Sequence, residues 1–566
     1  MPGRTVHRVT AAYTRIREES RPEIWITLRD EKTLTEEARY LDTRTAAGEH
    51  LPLAGTLLAV KGNIDVAGLP TTAGCPSYAY HPTTDAPAVA RLRGAGALVL
   101  GTTNLDQFAT GLVGTRSPYG AVRCAHDPTR ISGGSSSGSA VAVALGIADL
   151  ALGTDTAGSG RVPAAFNGIV GLKPTRGLVP VDGTVPACAS LDCVSVFART
   201  LPEAEQALAH LITGPATAPP PRAPGPWRVA VAGPDGLGEL DDGWAEAYAA
   251  AVDRLRDAGA EVRTVDTAPF TEAGVLLYEG AFVAERYTAV GEFVAQGSAD
   301  LDPTVAGIIT RAGTVPAHRL FTDRDRLAVL RAQALTRLGD ADALLLPTAP
   351  GHPTLADVAA DPLGANARLG RFTNSTNLFD LAAVAVPAGE VRGLPFGVML
   401  IGPAHTDERL GQLARLLAEP TRVAVVGAHL TGQPLNPHLL ALGARWERTT
   451  RTAPVYRLHA LATTPPKPGL VYVGPGGGAP IEAEVWRLPA EGLGRLTAAL
   501  PRPMTIGRIE LADGTSVPGF FCEPAALDGA KDITAYGGWR AALSAVGESA
   551  AGRDSSAGGT ARPTVE

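Results

Sequence analysis

The stretch "RISGGSSSGSAVAVALGIADLALGTDTAGSG", Arg130 to Gly160, sets two serines, Ser135 and Ser159, in glycine-flanked turns on either side of an apolar run. A Gly/Ser run standing alone reads as a flexible linker. Here it leads into "AVAVALGIADLALG", which predicts a helix and then a short buried strand, so the run is a turn inside a packed domain. No lysine follows the glycines as in GxxxxGK[ST], which argues against a phosphate-binding loop. Upstream, "LAVKGNIDVAG" places Lys61 at the end of an apolar strand. Singly, such a lysine could snorkel to the surface and either serine could cap a helix. Together they propose a serine hydrolase without a histidine base, in which a lysine kept neutral by burial takes the proton.

Outward from these turns, Leu53 to about Pro403 alternates apolar strands with helical stretches: "GTLLAV", "APAVARLRGAG", "ALVLGTT", and later "WRVAVAG", "EAYAAAVDRLRDAGA", "EVRTV" and "DALLLPTAP". This rhythm predicts an α/β fold, a mixed sheet with helices on both faces. The first fifty residues read as helices, "TAAYTRIREE" and "TLTEEARYLDTRTAAG", lying over that sheet. The proline-rich "ATAPPPRAPGP" reads as an extended surface spacer. After "LIGPAHTDERLGQLARLLAEP" a second series begins: "RVAVVGAHL", "APVYRLHALA", "GLVYVG", "IEAEVWRLP" and "VPGFFCEP". These predict a small α+β domain. The expected division is 1–415, 422–545 and a Gly/Ala/Ser-rich, disordered tail at 546–566.

A chain of 566 residues exceeds one compact core and suggests at least two domains. The net charge of −7, with no Lys/Arg cluster interleaved with aromatics, gives no footprint for nucleic acid. No apolar signal core or membrane-length run occurs, so a cytoplasmic protein without membrane contact is expected. The five scattered cysteines fit reduced thiols, and the 11 histidines form no HExxH-like pattern, so neither a metal nor another cofactor is expected.

The segments around Lys61, Ser135 and Ser159, with "GIVGLKPTRGLVP", resemble the amidase signature family of Ser/cis-Ser/Lys hydrolases from about residue 10 to residue 415. The resemblance implies that Ser159 is the nucleophile, that Ser135 follows a cis peptide from Gly134 and relays the proton, and that Lys61 is the base. The backbone N–H groups of Thr156, Ala157 and Gly158 would face the developing oxyanion. Two departures stand near this machinery: Gly62, where many members have Asp, and Thr102, where many have Lys.

In "LYEGAFVAERYTAVGEF", Tyr278 and Arg286 are about two helical turns apart and are expected on one helical face, as a clamp for a carboxylate. The alternative is an exposed helix on which Arg286 pairs with Glu279 or Glu285 and Tyr278 is half-buried. "TNLDQFATGLVGTRSPYGAVR", "TDTAGSGRVPAAFNGIVG" and "LYEGAFVAERY" together resemble the allophanate hydrolases. That resemblance implies that Tyr278 and Arg286 bind the substrate carboxylate, that Gly111 lies beside the amide, and that the small-molecule substrate is allophanate.

The C-terminal segment resembles the C-terminal domain of the same enzymes, with a γ-glutamyl cyclotransferase-like fold, which implies decarboxylation of N-carboxycarbamate. His429 is its candidate residue, as a cationic or hydrogen-bonding imidazole; the alternative is a loop-capping histidine in a structural or dimer-forming domain. The acidic residue of cyclotransferases has no counterpart around Ala498 to Pro501, and Arg448, Arg451 and Arg540 read equally as anion ligands or surface charges. The resemblance also implies a homodimer and coupling to urea carboxylase or biuret hydrolase. Two other readings remain, a glutamyl-tRNA amidotransferase-like subunit or other amidase, and a scaffold with a relic site. The last predicts a damaged relay, yet Lys61, Ser135 and Ser159 are all present.

Overall fold

The computed structural model describes residues 4–213, 222, 225–418, 421–488 and 490–545, so the proline-rich spacer, apart from three of its residues, and the 546–566 tail lie outside the described residues. The chain divides into two units, Met1–Leu417 and Ala418–Glu566.

The first unit is built on an 11-stranded sheet. Its strands are β1 Trp25–Leu28, β2 Leu57–Lys61, β3 Leu98–Thr103, β4 Leu150–Asp155, β5 Val170–Lys173 and β6 Cys193–Ala198. They continue with β7 Arg228–Ala232, β8 Glu261–Val265, β9 Ala343–Pro347, β10 Leu381–Val391 and β11 Leu394–Pro403. The spatial order is β1-β3-β2-β4-β6-β5-β10-β11-β9-β7-β8. Strand β2 runs parallel to β3 and β4, and β7 parallel to β8 and β9, while the other pairs are antiparallel. The sheet is therefore mixed. Strands β2, β3, β4 and β9 are buried along their whole length, which is why they read as unbroken apolar runs rather than alternating ones. Strand β8, with the sequence EVRTV, is mostly exposed and closes one edge with charged side chains that discourage further pairing. Strand β1 closes the other edge, at four residues too short to show a period.

Helices Arg4–Glu19 and Glu31–Ala46 flank β1 and bury Val9, Leu34, Ala38 and Leu41 in the core that covers the sheet. Asp30 caps the second helix by accepting from the Thr33 amide at 2.9 Å.

The second unit has its own core, including Val423, Leu458, Val485, Trp486 and Ile509. Its strands are β12 Thr421–Val425, β13 Arg445–Arg451, β14 Tyr456–Leu461, β15 Lys467–Tyr472, β16 Glu482–Leu488, β17 Met504–Glu510, β18 Ser516–Cys522 and β19 Lys531–Asp532. Five form a sheet in the order β13-β16-β12-β18-β17, and three form a second, β15-β14-β19. Sequence patterning missed β13, β17 and β19. The charged, largely exposed edge strand β13 ("RWERTTR") has no apolar alternation to show. Among the described residues no helix is long and apolar enough to cross a membrane, and all five cysteines are free and buried.

Candidate active site

Because β2, β3 and β4 are parallel neighbours, their carboxyl ends open at one place, where an α/β sheet usually binds its ligand. Lys61 ends β2, and Thr154 and Asp155 end β4. The turn at Ser135 is tied to the same strand end: Ser136 Oγ donates to the Thr154 carbonyl at 3.1 Å. Helix Ser137–Ala144 then carries the chain back into the core.

This placement aligns the three sequence-predicted side chains. Lys61 Nζ lies 2.8 Å from Ser135 Oγ, and Ser135 Oγ lies 3.0 Å from Ser159 Oγ. The Gly134–Ser135 peptide is cis. Lys61 is fully buried, and desolvation lowers its pKa to about 7, although Asp106, Asp192 and Asp155 each pull it back up. The amine is therefore poised between its two forms at neutral pH. Its Nζ also donates to Thr154 Oγ1 at 2.7 Å. In the neutral amine this bond holds one N–H aside and leaves the lone pair for Ser135.

Two buried carboxylates shape the turns. Asp106 accepts from the amides of Val113, Gly114 and Arg116 at 3.0–3.1 Å, and a Cβ at Gly134 would collide with its Oδ2. Burial raises the Asp106 carboxyl pKa despite Arg116 and those amides. Asp155 accepts from the Gly158 amide at 2.8 Å, from the Gly160 amide at 3.0 Å, and from Arg161 Nε and Nη2 at 2.9 Å. Burial pushes the Asp155 carboxyl up, but Arg161, Lys173 and the Gly160 amide together outweigh it and hold the group below its ordinary range. The loop bearing Ser159 is thus wound around a buried, bidentate ion pair.

That winding corrects one expectation. The Gly158 amide is occupied by Asp155, a charged acceptor inside the loop, and so does not face an oxyanion. Thr156 and Ala157 remain as backbone candidates, and the Thr156 hydroxyl is anchored to the Asp192 carboxylate.

A second correction concerns Tyr278 and Arg286, which do not share a helical face. Tyr278 lies in the last turn of helix Ala268–Glu279, and Arg286 in the first turn of helix Ala284–Gln296. Gly280, in an extended conformation, ends the first helix, and a 3-10 turn, Ala281–Val283, leads to the next. The two side chains nevertheless meet: Arg286 Nη2 donates to the Tyr278 hydroxyl at 3.2 Å, and the guanidinium carbon stands 4.9 Å from the ring centre. Arg286 Nη1 donates to Thr110 Oγ1 at 3.3 Å, next to Gly111 in the chain. Tyr278 packs against an apolar cluster that includes Ala157 and Cys188, which puts the pair beside the Ser159 loop. The exposed-helix alternative fails, since Arg286 is 1% exposed and Glu285 accepts instead from the Ser190 amide and hydroxyl. Among the described residues Arg286 bonds only these two hydroxyls, and its Nε has no partner.

In the second unit His429 lines a cavity of roughly 190 Å³ with Gly427, His438, Lys467, Leu496 and Phe520. Its ring stacks on Phe520 with centres 4.8 Å apart, and its buried Nε2 has no hydrogen-bond partner among the described residues. Desolvation, with His438 and Lys467 nearby, lowers its pKa to about 4, so it is a neutral imidazole at pH 7 and the cationic option falls away. Arg448 pairs with Asp513 at 2.7 Å. Arg540 is a clamp: it binds Glu482 and Glu484 at 2.7 Å each, while Glu484 accepts from the Thr431 amide and hydroxyl two residues past His429. No group of three or more His, Cys, Asp or Glu side chains is placed to hold a metal ion among the described residues.

Sequence reasoning did not single out Asp106, Thr110, Thr154 or Asp192. Each is one polar residue in a buried loop or strand end; the only signal for Asp106, Thr110 and Thr154 was their place inside the stretches that carry the family likeness, and Asp192 lies outside those stretches.

Comparison with known proteins agrees with this geometry. Residues 8–410 match the amidase family, and residues 421–544 match the allophanate hydrolase C-terminal domain. Urea amidolyase of Lachancea kluyveri is 43% identical over 91% of this chain, which spans only 31% of that protein's length. A glutamyl-tRNA(Gln) amidotransferase subunit of Thermus thermophilus is 36% identical over 69% of this chain and 90% of its own. The solved structure of a variant of Kluyveromyces lactis allophanate hydrolase superposes with a TM-score of 0.66 at 40% identity, covering 92% of this chain and 93% of that one. The chain thus belongs to the amidase family, as a hydrolase whose second unit is an allophanate hydrolase C-terminal domain.

Proposed function

We propose that the protein hydrolyses allophanate in two steps. Ser159 attacks the ureido carbonyl while its proton passes to Ser135 Oγ and the Ser135 proton passes to Lys61 Nζ. Collapse of the tetrahedral adduct breaks the C–N bond, and the same path returns a proton to the departing ammonia. Water then cleaves the acyl-enzyme to N-carboxycarbamate, which takes up a proton and loses carbon dioxide to give carbamate; the carbamate takes up a second proton and breaks down to the second ammonia and a second carbon dioxide. One observation carries the choice of substrate: a buried guanidinium, Arg286, that among the described residues hydrogen-bonds only two hydroxyls and keeps an unpartnered nitrogen, with its partner Tyr278 packed on the cluster that includes Ala157. Such a group calls for an anion, and a carboxylate one short chain away from the amide meets that call.

The test is ammonia release from allophanate, biuret, malonamide and glutamine. Preferred cleavage of allophanate is expected; cleavage of glutamine alone would favour the amidotransferase reading. Replacing Arg286 by leucine is expected to lower kcat/KM for allophanate about 10- to 100-fold, consistent with a charge-assisted hydrogen bond to the substrate. Neutral malonamide should lose far less.

For the second step, the neutral His429 in its largely apolar cavity supports decarboxylation, because a dianion moved out of water is destabilised relative to a transition state that disperses its charge. Lys467 in the same wall supplies the cation that attracts it. Replacing His429 by alanine is expected to leave the first ammonia unchanged and to delay the second in a continuous assay. Simultaneous loss of both would contradict the division of labour. We place the reaction in the cytoplasm and in a homodimer, fed by urea carboxylase or biuret hydrolase; likeness to a urea amidolyase supports the urea-fed route.

A further inference from the structure

Thr373 precedes the short helix Asn374–Leu378 and is fully buried. Its backbone is fixed by the ion pair behind the nucleophile: Arg161 Nη1 donates to the Thr373 carbonyl at 3.1 Å and to Thr376 Oγ1 at 2.8 Å, and Nη2 reaches Asn377 Oδ1 at 2.9 Å. The Thr373 side chain is thereby set against the loop that ends in Ser159. A Cβ on Gly158 would collide with Thr373 Oγ1 and stand 2.7 Å from Thr373 Cβ. Glycine at 158, with φ +133°, is what admits this approach one residue before Ser159.

The hydroxyl brought so close has nothing to bond. Thr373 Oγ1 is buried and without a hydrogen-bond partner among the described residues, a state that native proteins avoid unless a ligand or water supplies the partner. The loop, for its part, has lost a donor, because the Gly158 amide is taken by Asp155. A threonine hydroxyl can rotate its proton toward an acceptor without moving the backbone.

We propose that the Thr373 hydroxyl donates a hydrogen bond to the acyl oxygen of the amide under attack, supplying from a side chain the donor that Gly158 does not. This rests on Ser159 being the nucleophile of an amide hydrolysis, as argued above. The contact strengthens as charge gathers on that oxygen, so it acts on kcat more than on KM.

The experiment compares Thr373→Val, Thr373→Ala and Thr373→Ser in the full chain, by steady-state ammonia release and thermal melting. The valine and alanine variants are expected to lose about 100-fold in kcat with KM within about threefold of the parent, and the serine variant to stay within about fivefold of it. Alanine adds no bulk, so its result holds even where valine disturbs folding. Parental kcat in the alanine variant overturns the proposal, as does an equal loss in the serine variant or a loss confined to KM. A parent enzyme silent on allophanate but active on malonamide or glutamine would overturn the choice of substrate alone, and the same variants then decide the contact on that amide. A parent silent on every amide overturns both.

Discussion

Ser159→Ala and Lys61→Met are each expected to reduce ammonia release from allophanate by about 10⁴-fold or more, with the double variant no slower than either alone. The reason lies in the continuous path from Ser159 Oγ through Ser135 Oγ to Lys61 Nζ, with steps of 3.0 and 2.8 Å. Groups that move one proton act as a unit, so breaking either end removes the whole contribution. Additive losses would show that Lys61 and Ser159 work separately. In the parent enzyme the amine must be neutral to receive the proton. With its pKa held to about 7, kcat/KM should fall tenfold per pH unit below 7 and flatten above it. Stability moves in the same direction with pH, over a higher range. The folded pKa lies below the unfolded lysine value, so the unfolded chain binds the proton more tightly. The contribution of Lys61 to stability is therefore lowest below pH 7 and improves as pH rises from about 7 toward the ordinary lysine range. Removing the amine relieves that burden, and Lys61→Met is expected to melt at a higher temperature than the parent at pH 6. Calorimetry at that pH separates lost chemistry from lost folding, because a misfolded variant would melt lower.

The largest loss of stability is expected from Arg161→Met, roughly 3–5 kcal/mol by urea unfolding of the first unit. Both members of the Arg161–Asp155 pair are fully buried, and Arg161 also carries Thr373, Thr376 and Asn377. Its removal leaves a carboxylate enclosed with two amides and the more distant charge of Lys173 as compensation. Arg392→Ala, which breaks an exposed pair with Asp242, should leave the unfolding midpoint where it was. If the two substitutions cost the same, the buried pair does not organise the nucleophile loop.

What the sequence disclosed, and what it withheld, follows from the range of the interactions. The strands around Lys61, Ser135 and Ser159 could be read because burial on both faces leaves unbroken apolar runs. That Lys61, Ser135 and Ser159 come together was suggested by serines in glycine-flanked turns and a lysine at the end of an apolar strand. Asp155 and Arg161 lay inside the quoted motif without showing their role, since a carboxylate that gathers amides from its own loop has no pattern beyond being an Asp. Asp106 and Thr373 are harder still: each matters through a glycine it crowds, Gly134 and Gly158, far away in the chain. Tyr278 and Arg286 show the reverse error. Their spacing suited one helix so well that Gly280 between them was read through.

That interruption separates two things a hydrolase must do. In the proposed reaction, bond cleavage is anchored to strand ends of the central sheet, whereas the phenol and guanidinium assigned to the acyl group hang on two helices joined by residues 280–283. Lengthening, shortening or turning that connection would alter which molecules fit while leaving the chemistry of attack untouched. Divergence among amidases of different preference should accordingly concentrate in this joint, and exchanging it is a direct route to enzymes for acids one atom longer or shorter.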